Sequence, residues 1–204
     1  MTLTLLHTSP AHCPTFTALR DRIAPGAELT QVVREDFLAR AQAGIDAALE
    51  AEITQTIQAV DGPVLCTCTT IGDVARKAGA VRIDQPMMQQ AARAGGPILM
   101  VYCLQSTWEP SLALLEEALE QQGTPQKVHP LFLGDYWPLF DAGEGEAFAA
   151  VLAAAIREAV KTMPDLACVV LAQASMAGAA PLLADLSVPV LASPELALRA
   201  GLAL

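Results

Sequence analysis

The segment Cys68-Thr69-Thr70-Ile71 combines residue types that could carry out proton or covalent transfer. It follows an apolar run at residues 63–67 that predicts a buried parallel strand, and it precedes Gly72, where a helix is expected to begin. The thiol therefore falls at the carboxyl end of a strand, the edge at which open α/β sheets bind ligands. Backbone N–H groups at a helix N-terminus favour anions, and such a position can favour a thiolate. This combination predicts chemistry on a small carboxylate.

Apolar β-type runs alternate with helical patterns along the whole chain, which is typical of parallel sheets with helices on both faces. The order of strands and helices starts again after Gly95-Gly96-Pro97. We therefore predict an α/β fold of two similar Rossmann-like parallel-sheet lobes, related by a pseudo-twofold axis, with the active-site cleft between them. The predicted domains are residues 1–95, to which a helix at 194–204 returns, and residues 96–193.

Helical periodicity predicts the elements between these strands. The pattern indicates one long helix over residues 36–60, a helix over residues 110–121 and another from about residue 175 to residue 184. The second of these begins at Pro110 and is expected to end at Gly123, since glycine is common just after the end of a helix. On this prediction Ser106 and Thr107 lie in a polar turn after a strand, and Ser175 begins a helix.

Cys68-Thr69-Thr70 resembles the first cysteine motif of the aspartate/glutamate racemase superfamily, which includes hydantoin racemases, maleate isomerases and arylmalonate decarboxylases. Four further segments fit in the same order along nearly the whole chain, at residues 7–10, 82–87, 106–107 and 171–176. The resemblance implies an enzyme that needs no organic cofactor and no metal, and that acts on a small anionic carboxylate. It also implies that Cys68 is the catalytic thiol.

The resemblance and the polar strand ends together suggest which groups would bind the substrate. Their hydroxyls, amide and backbone donors would contact its carboxylate: Thr8, Ser9, Thr69, Thr70, Ser106, Thr107, Gln173, Ala174 and Ser175. The second cysteine of the superfamily falls on Gln173. Because glutamine does not titrate, it cannot act as a second acid or base, and a single-thiol mechanism is expected.

Several reactions remain open for a single thiol. Cys68 could racemise or isomerise a small carboxylate, or protonate an enolate after decarboxylation. The same site could instead bind a carboxylate without turnover, or hydrolyse a substrate with Cys68 as nucleophile and His7 or His12 as base. Cys66, Cys103 and Cys168 are interpreted as core residues, since free cysteine is among the most buried residue types. Asp84 is interpreted as a solvated or capping carboxylate.

Composition limits the other classes of function. Of 204 residues, 53% are hydrophobic, and the formal net charge of −10 argues against nucleic acid or an anionic membrane surface as a partner. No apolar run reaches the roughly 18–20 residues of a membrane helix, and the N-terminus has no signal-type pattern, so a cytoplasmic protein is expected. Five cysteines favour a reduced state, without the spacing of a metal site. A homo-oligomer is compatible with a site inside one chain but is not required.

Overall fold

Two four-stranded parallel sheets form the framework of residues 2–203, the part of the chain that this computed structural model describes. The first sheet has the order β2-β1-β3-β4 and contains β1 (Leu3–His7), β2 (Leu29–Val33), β3 (Val64–Cys66) and β4 (Val81–Arg82). The second has the order β6-β5-β7-β8 and contains β5 (Ile98–Tyr102), β6 (Val128–Phe132), β7 (Cys168–Leu171) and β8 (Val190–Ala192). The equivalent orders confirm the predicted α/β fold of two similar parallel-sheet lobes.

Helices connect successive strands in both halves. Between the strands of the first sheet they are α1 (His12–Ile23), α2 (Glu35–Ala41), α3 (Ala47–Gln58) and α4 (Gly72–Lys77), and α5 (Gln85–Ala92) follows β4 and leads into β5. Around the second sheet and after it they are α6 (Gln105–Gln122), α7 (Trp137–Asp141), α8 (Gly145–Lys161), α9 (Ala179–Leu182) and α10 (Ser193–Gly201). Among the described residues, no helix has the length and apolarity needed to cross a bilayer.

The central strands are buried because helices cover both of their faces. Every residue of β1, β3, β5 and β7 is buried, and the β5 sequence Ile-Leu-Met-Val-Tyr has no polar position facing water. Such continuous apolar runs are what a parallel sheet requires. The outer strands β2 and β6 are only partly buried, so their sequences mix polar and apolar residues.

The described residues divide into two compact units, residues 2–86 with 194–203 and residues 87–193. Each unit has its own apolar core, one containing Leu6, Phe37 and Ile53, the other containing Val101 and Leu152. The boundary at residue 86 lies a few residues before the break at Gly95-Gly96 from which the sequence predicts the second lobe. Helix α10 belongs to the first unit, where Glu195 pairs with Arg22 at 2.7 Å.

The predicted long helix over residues 36–60 is wrong, because the chain breaks it into α2 and α3. Gly44 adopts a φ of +116°, a conformation that favours glycine and cannot continue a helix. Asp46 then caps α3, since its carboxylate accepts a hydrogen bond from the Leu49 N–H at 2.7 Å. Gly44 and Asp46 are the residues that signal this break in the sequence.

Two other helices also differ from their predicted bounds. Helix α6 begins at Gln105, five residues before the expected start, and holds Pro110 in its interior. Ser106 and Thr107 therefore lie on the first turn of a helix and not in a loop. The helix expected from residue 175 is replaced by a 3₁₀ turn at Ala174–Met176 and the short helix α9, with Gly178 between them.

Candidate active site

The carboxyl edge of the first sheet collects the polar residues that follow β1, β3 and β4. Leu6 pairs with Cys66 in the parallel register, and the Thr67 N–H donates to the Leu6 carbonyl at 3.0 Å, so the pairing continues past the end of β3. Two residues further on, Thr8 and Cys68 therefore lie side by side. Cys68 comes to this edge because an apolar strand, residues 64–66, ends just before it.

The Cys68 side chain is buried, with 8% of its surface exposed, and packs with Leu6, Ile71 and Val74. This burial raises the pKa of the thiol, because a thiolate is poorly solvated there. Hydrogen bonds to Thr8 and to the backbone of Ile71 and Thr70 act in the opposite direction, and they are the smaller effect. The expectation of a favoured thiolate is therefore wrong for this structure, in which the sulfur stays protonated at neutral pH.

The other predicted residues of this edge differ in their surroundings. Thr8, Thr69 and Thr70 are buried beside Cys68 in the chain or across the sheet. The Ser9 hydroxyl accepts a hydrogen bond from the Ala11 N–H at 3.3 Å, so it helps the chain turn into α1. The structure thus brings Thr8, Thr69 and Thr70 to the thiol and gives Ser9 a local role in the backbone.

Arg82 and Asp84 form a buried ion pair that the sequence interpretation missed. The Arg82 guanidinium donates two hydrogen bonds to the Asp84 carboxylate, at 3.0 and 2.8 Å, and the two side chains are 3% and 0% exposed. The interpretation of Asp84 as a solvated or capping carboxylate is therefore wrong. The Arg-x-Asp spacing on a strand was the available signal, since residues two apart share one face.

Gly72 makes room for this pair at the start of α4. A Cβ atom at this position would come within 2.9 Å of Arg82 Nε, so any side chain would push the guanidinium away. Because Cys66 and Arg82 are paired in register, their side chains lie on the same face of neighbouring strands. Asp84 is close enough to act electrostatically on both Cys66 and Cys68.

His7 occupies the last position of β1 and is fully buried. Its Nδ1 lies 2.7 Å from Thr67 Oγ1, and its Nε2 lies 3.0 Å from Gln31 Oε1. Desolvation lowers the pKa of His7, and burial together with the nearby His7 lowers the pKa of His12 to about 4. Both rings are therefore neutral at pH 7. The sequence did not indicate these two hydrogen-bond partners of His7.

Burial disfavours the thiolate form of the other buried cysteines as well. Burial raises the pKa of Cys103 to about 12 and that of Cys168 to about 11, and it also raises the pKa of Cys66. Cys66 donates a weak hydrogen bond to the Cys68 carbonyl, with 3.5 Å between sulfur and oxygen. Their burial confirms the interpretation of these three cysteines as core residues.

In the second unit, Gln173 joins the ends of two strands. Its Oε1 atom accepts hydrogen bonds from the N–H groups of Cys103 at 2.5 Å and Leu104 at 3.1 Å. Both partners are donors, which identifies the accepting atom as the amide oxygen. Gln173 is 7% exposed, so this clamp is an internal part of the edge where β5 and β7 end.

The other predicted residues of this unit lie close to the same clamp in the chain. Ala174 opens the 3₁₀ turn, in which the Met176 N–H donates to the Gln173 carbonyl at 3.0 Å. Ser106 and Thr107 follow Leu104 on the first turn of α6, with Thr107 buried. The Ser175 hydroxyl oxygen is buried and has no hydrogen-bond partner within residues 2–203. It is an unsatisfied polar atom beside the predicted binding residues.

Comparisons with known proteins find structural similarity to several solved structures. No protein-family model matches the sequence, and no curated protein matches it. Allantoin racemase from Klebsiella pneumoniae is 20% identical with a TM-score of 0.63, covering 100% of this chain and 86% of that one. Glutamate racemase from Francisella tularensis subsp. tularensis SCHU S4, in complex with D-glutamate, is 10% identical with a TM-score of 0.65, covering 99% and 80%. An arylmalonate decarboxylase is 13% identical with a TM-score of 0.57, covering 100% and 92%.

The chain has the fold of these racemases. The resemblance that the Cys68 motif and its companion segments predict is thereby confirmed at the level of the fold. The likeness extends over nearly the full length of the chain, as the order of the predicted segments requires.

At the edge of the first sheet, the Cys68 sulfur is hydrogen-bonded to the Thr8 side chain and to the backbone of Thr70 and Ile71. The Cys68 thiol carries the proton, and the groups that hydrogen-bond its sulfur would stabilise the thiolate left behind. Across residues 2–203, no three His, Cys, Asp or Glu side chains are grouped so that they could hold a metal ion.

Proposed function

We propose that this chain is an enzyme of the aspartate/glutamate racemase superfamily that racemises or isomerises a small carboxylate through one thiol, Cys68, without a cofactor. The observation that carries the proposal is the surroundings of Cys68, whose sulfur meets the Thr8 side chain and the backbone of Thr70 and Ile71 at the carboxyl edge of a parallel sheet. The fold supports it, and the D-glutamate complex of one structural neighbour supports a small carboxylate as the substrate class.

The proposed chemical step is proton exchange at the carbon next to the carboxylate. In racemisation, a water on the face opposite Cys68 takes the α-hydrogen as a proton, and the C–H bonding electrons are delocalised into the substrate carboxylate. The Cys68 S–H bond then breaks, its proton forms the new C–H bond, and the sulfur keeps the electrons as a thiolate. Hydrogen bonds to that thiolate lower the energy of the transition state, and water returns the proton for the next turnover.

Decarboxylation is the second candidate, and the raised pKa of Cys68 favours it. A two-thiol racemase needs one thiolate to remove a proton, whereas this thiol begins protonated. In a decarboxylation the substrate carboxylate leaves as CO₂, its bonding electrons stay on the carbon, and Cys68 supplies the proton. Gln173, at the place of the second cysteine, does not titrate and cannot act as an acid or base, which supports addition of the proton from one face only.

The remaining roles follow from the resemblance and are part of the proposal. Hydroxyl groups of Thr8, Thr69, Thr70, Ser106, Thr107 and Ser175, the Nε2 amide of Gln173 and the backbone of Ala174 would bind the carboxylate. The Ser175 hydroxyl, buried without a partner among the described residues, supports a polar ligand there. All five cysteines are free, which fits the reducing cytoplasm.

The test is incubation of the purified chain in deuterated water with amino acids, hydantoins, maleate and arylmalonates. Deuterium at the α-carbon, measured by NMR and mass spectrometry, is expected for one of these classes, together with inversion, isomerisation or CO₂ release. We expect Cys68→Ser to lower the rate by about 100-fold or more, because a proton donor in the transition state is worth roughly that much. Cys13→Ser is the matched control, since Cys13 lies outside this site.

Four outcomes would contradict the proposal. Exchange that survives in Cys68→Ser would remove the thiol from the mechanism. Tight carboxylate binding without exchange or turnover would identify a non-catalytic binding module. A covalent acyl adduct on Cys68, formed during hydrolysis, would identify a hydrolase in which His7 or His12 acts as base. Activity that disappears on dialysis against a chelator and returns with a metal would contradict the absence of a cofactor.

A further inference from the structure

A continuous set of side-chain hydrogen bonds connects helix α1 to the segment that carries Cys68. It runs from Thr67 to His7 at 2.7 Å, from His7 to Gln31 at 3.0 Å, and from the Gln31 amide N–H to Thr17 Oγ1 at 3.0 Å. The Thr17 hydroxyl then donates to the Cys13 carbonyl at 2.9 Å. The set therefore links the residue after β3 to β1, β2 and α1, and His7 is the member that contacts Thr67.

The partners of His7 determine how a neutral ring is oriented. Gln31 Oε1 can only accept, so His7 Nε2 carries the proton and donates it to this oxygen. The unprotonated Nδ1 then accepts a hydrogen bond from the Thr67 hydroxyl. The same hydroxyl also donates to the Leu6 carbonyl at 3.1 Å, so its single proton is shared between Nδ1 and an oxygen that already accepts from the Thr67 backbone N–H. The Thr67 hydroxyl can therefore contact His7 while the Leu6 carbonyl keeps its hydrogen bond from the Thr67 backbone N–H.

The position of this contact in the sheet ties it to the reactive thiol. His7 is the last residue of β1 and Thr8 follows it, and Thr67 and Cys68 are the two residues after β3, where the Thr67 N–H still donates to the Leu6 carbonyl. Successive side chains of a strand point to opposite faces. The His7–Thr67 hydrogen bond on one face therefore lies directly behind the Thr8–Cys68 hydrogen bond on the other, at the next step of the same register.

We propose that His7 is a positioning residue that acts through Thr67, holding the segment after β3 in the register that places the Cys68 sulfur against Thr8. The catalytic consequence rests on the proposed function above, whereas the effect on Cys68 itself does not. Thr67 is 2% exposed and His7 is fully buried, so water cannot replace either partner when the other is removed. Loss of the contact should therefore free the Cys68 segment locally.

Two pairs of variants separate positioning from packing. The side-chain amide of His7→Asn places a polar atom near the former Nδ1 and can still meet Thr67, whereas that of His7→Gln reaches toward the former Nε2 and Gln31. Thr67→Ser keeps the hydroxyl, whereas Thr67→Val removes it with little change of shape. Gln31→Met is the matched control. It removes the partner that fixes the tautomer of His7, but the Thr67 hydroxyl can donate to Nδ1 or accept from it, so the Thr67 contact is available in either tautomer.

The readout is the alkylation rate of each cysteine by iodoacetamide, resolved by peptide mass spectrometry. We expect Thr67→Val and His7→Gln to speed the alkylation of Cys68 by roughly threefold to tenfold, the value of one buried hydrogen bond. Cys66, Cys103 and Cys168 should keep their slow rates, since the release is local. Thr67→Ser, His7→Asn and Gln31→Met should keep the rate of Cys68 close to that of the unmodified chain.

The inference is overturned if the alkylation rates of all buried cysteines rise together in proportion to a loss of thermal stability, because that outcome means that the whole fold has been destabilised. It is also overturned if Thr67→Val leaves the Cys68 rate unchanged. Should His7→Gln fail to fold, the two Thr67 variants decide the question alone. A chain with no turnover whose Cys68 responds as expected would overturn the proposed function and support the positioning role. If turnover requires Cys68 but the alkylation rate of Cys68 does not respond to these variants, the positioning role is overturned and the proposed function is supported.

Discussion

Burial of the Cys68 side chain determines the protonation state from which the proposed reaction starts. A free thiol has a pKa of about 8.5, and desolvation moves that of Cys68 upward. The residue is therefore better prepared to give a proton than to remove one. Its hydrogen bonds to Thr8 and to backbone groups would matter most after the proton has left, when the sulfur carries the charge.

This environment predicts how the reactivity of Cys68 depends on pH. Alkylation of Cys68 should be slow at pH 7 and should keep rising above pH 9, because only the thiolate reacts. Thr8→Val should move the profile to still higher pH, since the hydrogen bond to Thr8 lowers the pKa. Rates measured peptide by peptide between pH 6 and about 10.5 check this. A Cys68 rate that is already at its plateau by pH 7 would contradict the prediction.

The Arg82–Asp84 pair predicts a large loss of stability when it is broken. Removal of one partner leaves a buried charge without compensation, which typically costs about 3–5 kcal/mol. We expect Asp84→Asn and Arg82→Met to lower the free energy of unfolding by this amount, measured by urea denaturation. The double variant Arg82→Met with Asp84→Leu should lose less, because no uncompensated charge remains. The exposed Lys161–Glu158 pair is the control, and its loss should have a far smaller effect.

At the scale of elements, Gln173 acts as a clamp between the ends of β5 and β7. Gln173→Ala would leave the N–H groups of Cys103 and Leu104 without their acceptor, and such a loss costs about 1–3 kcal/mol. We expect a lower thermal midpoint and faster hydrogen exchange at these two amides. Gln173→Glu keeps an acceptor oxygen and should retain more of their protection. Unchanged exchange in Gln173→Ala would show that the clamp does not hold these amides.

Much of this framework could be predicted from the sequence because its signals are local. Buried strands of a parallel sheet are short apolar runs, and the residue types that follow them mark the carboxyl edge. Helix ends are weaker signals. Gly44 and Asp46 break a stretch whose Ala, Leu, Glu and Gln content favours a helix throughout, and Pro110 was interpreted as a helix start although α6 continues through it.

The candidate site was predicted less completely because several of its contacts join residues far apart in the chain. His7 meets Thr67 sixty positions away, and Gln173 meets Cys103 seventy positions away. No local pattern reveals such pairs. The pKa of Cys68 could not be obtained either, because the strand-end position and helix N-terminus favour the thiolate while the packing of Leu6, Ile71 and Val74 opposes it more strongly.

At the scale of the whole molecule, His7 and His12 predict a loss of stability in mild acid. Their folded pKa values lie below the ordinary value of about 6.5, that of His12 at about 4. Above pH 6.5 neither state binds these protons. Below it the unfolded chain does and the folded chain does not, so the free energy of unfolding should fall by up to about 1.4 kcal/mol per pH unit for each histidine.

Urea denaturation at intervals from pH 7.5 to pH 4.5 checks this expectation. The chain with His12→Phe should show a shallower decline, because the neutral ring is replaced by one that never titrates. Ion-paired carboxylates such as Asp36 and Glu52 have lowered pKa values and lose their contribution only below the ordinary range of carboxyl groups. Their effect therefore falls in a separate, more acidic window. A flat profile above pH 4.5 would contradict the prediction.

The amide of Gln173 has one more consequence for the molecule. The N–H groups of Cys103 and Leu104, at the edge of the second sheet, already donate to Gln173. An anion could therefore hydrogen-bond to them only if it displaced the Gln173 side chain. Discrimination between ligands would then fall to rotatable hydroxyl groups in place of a rigid peptide cradle. A site lined by rotatable hydroxyl groups would accommodate ligands of different shapes and would be less selective as a result.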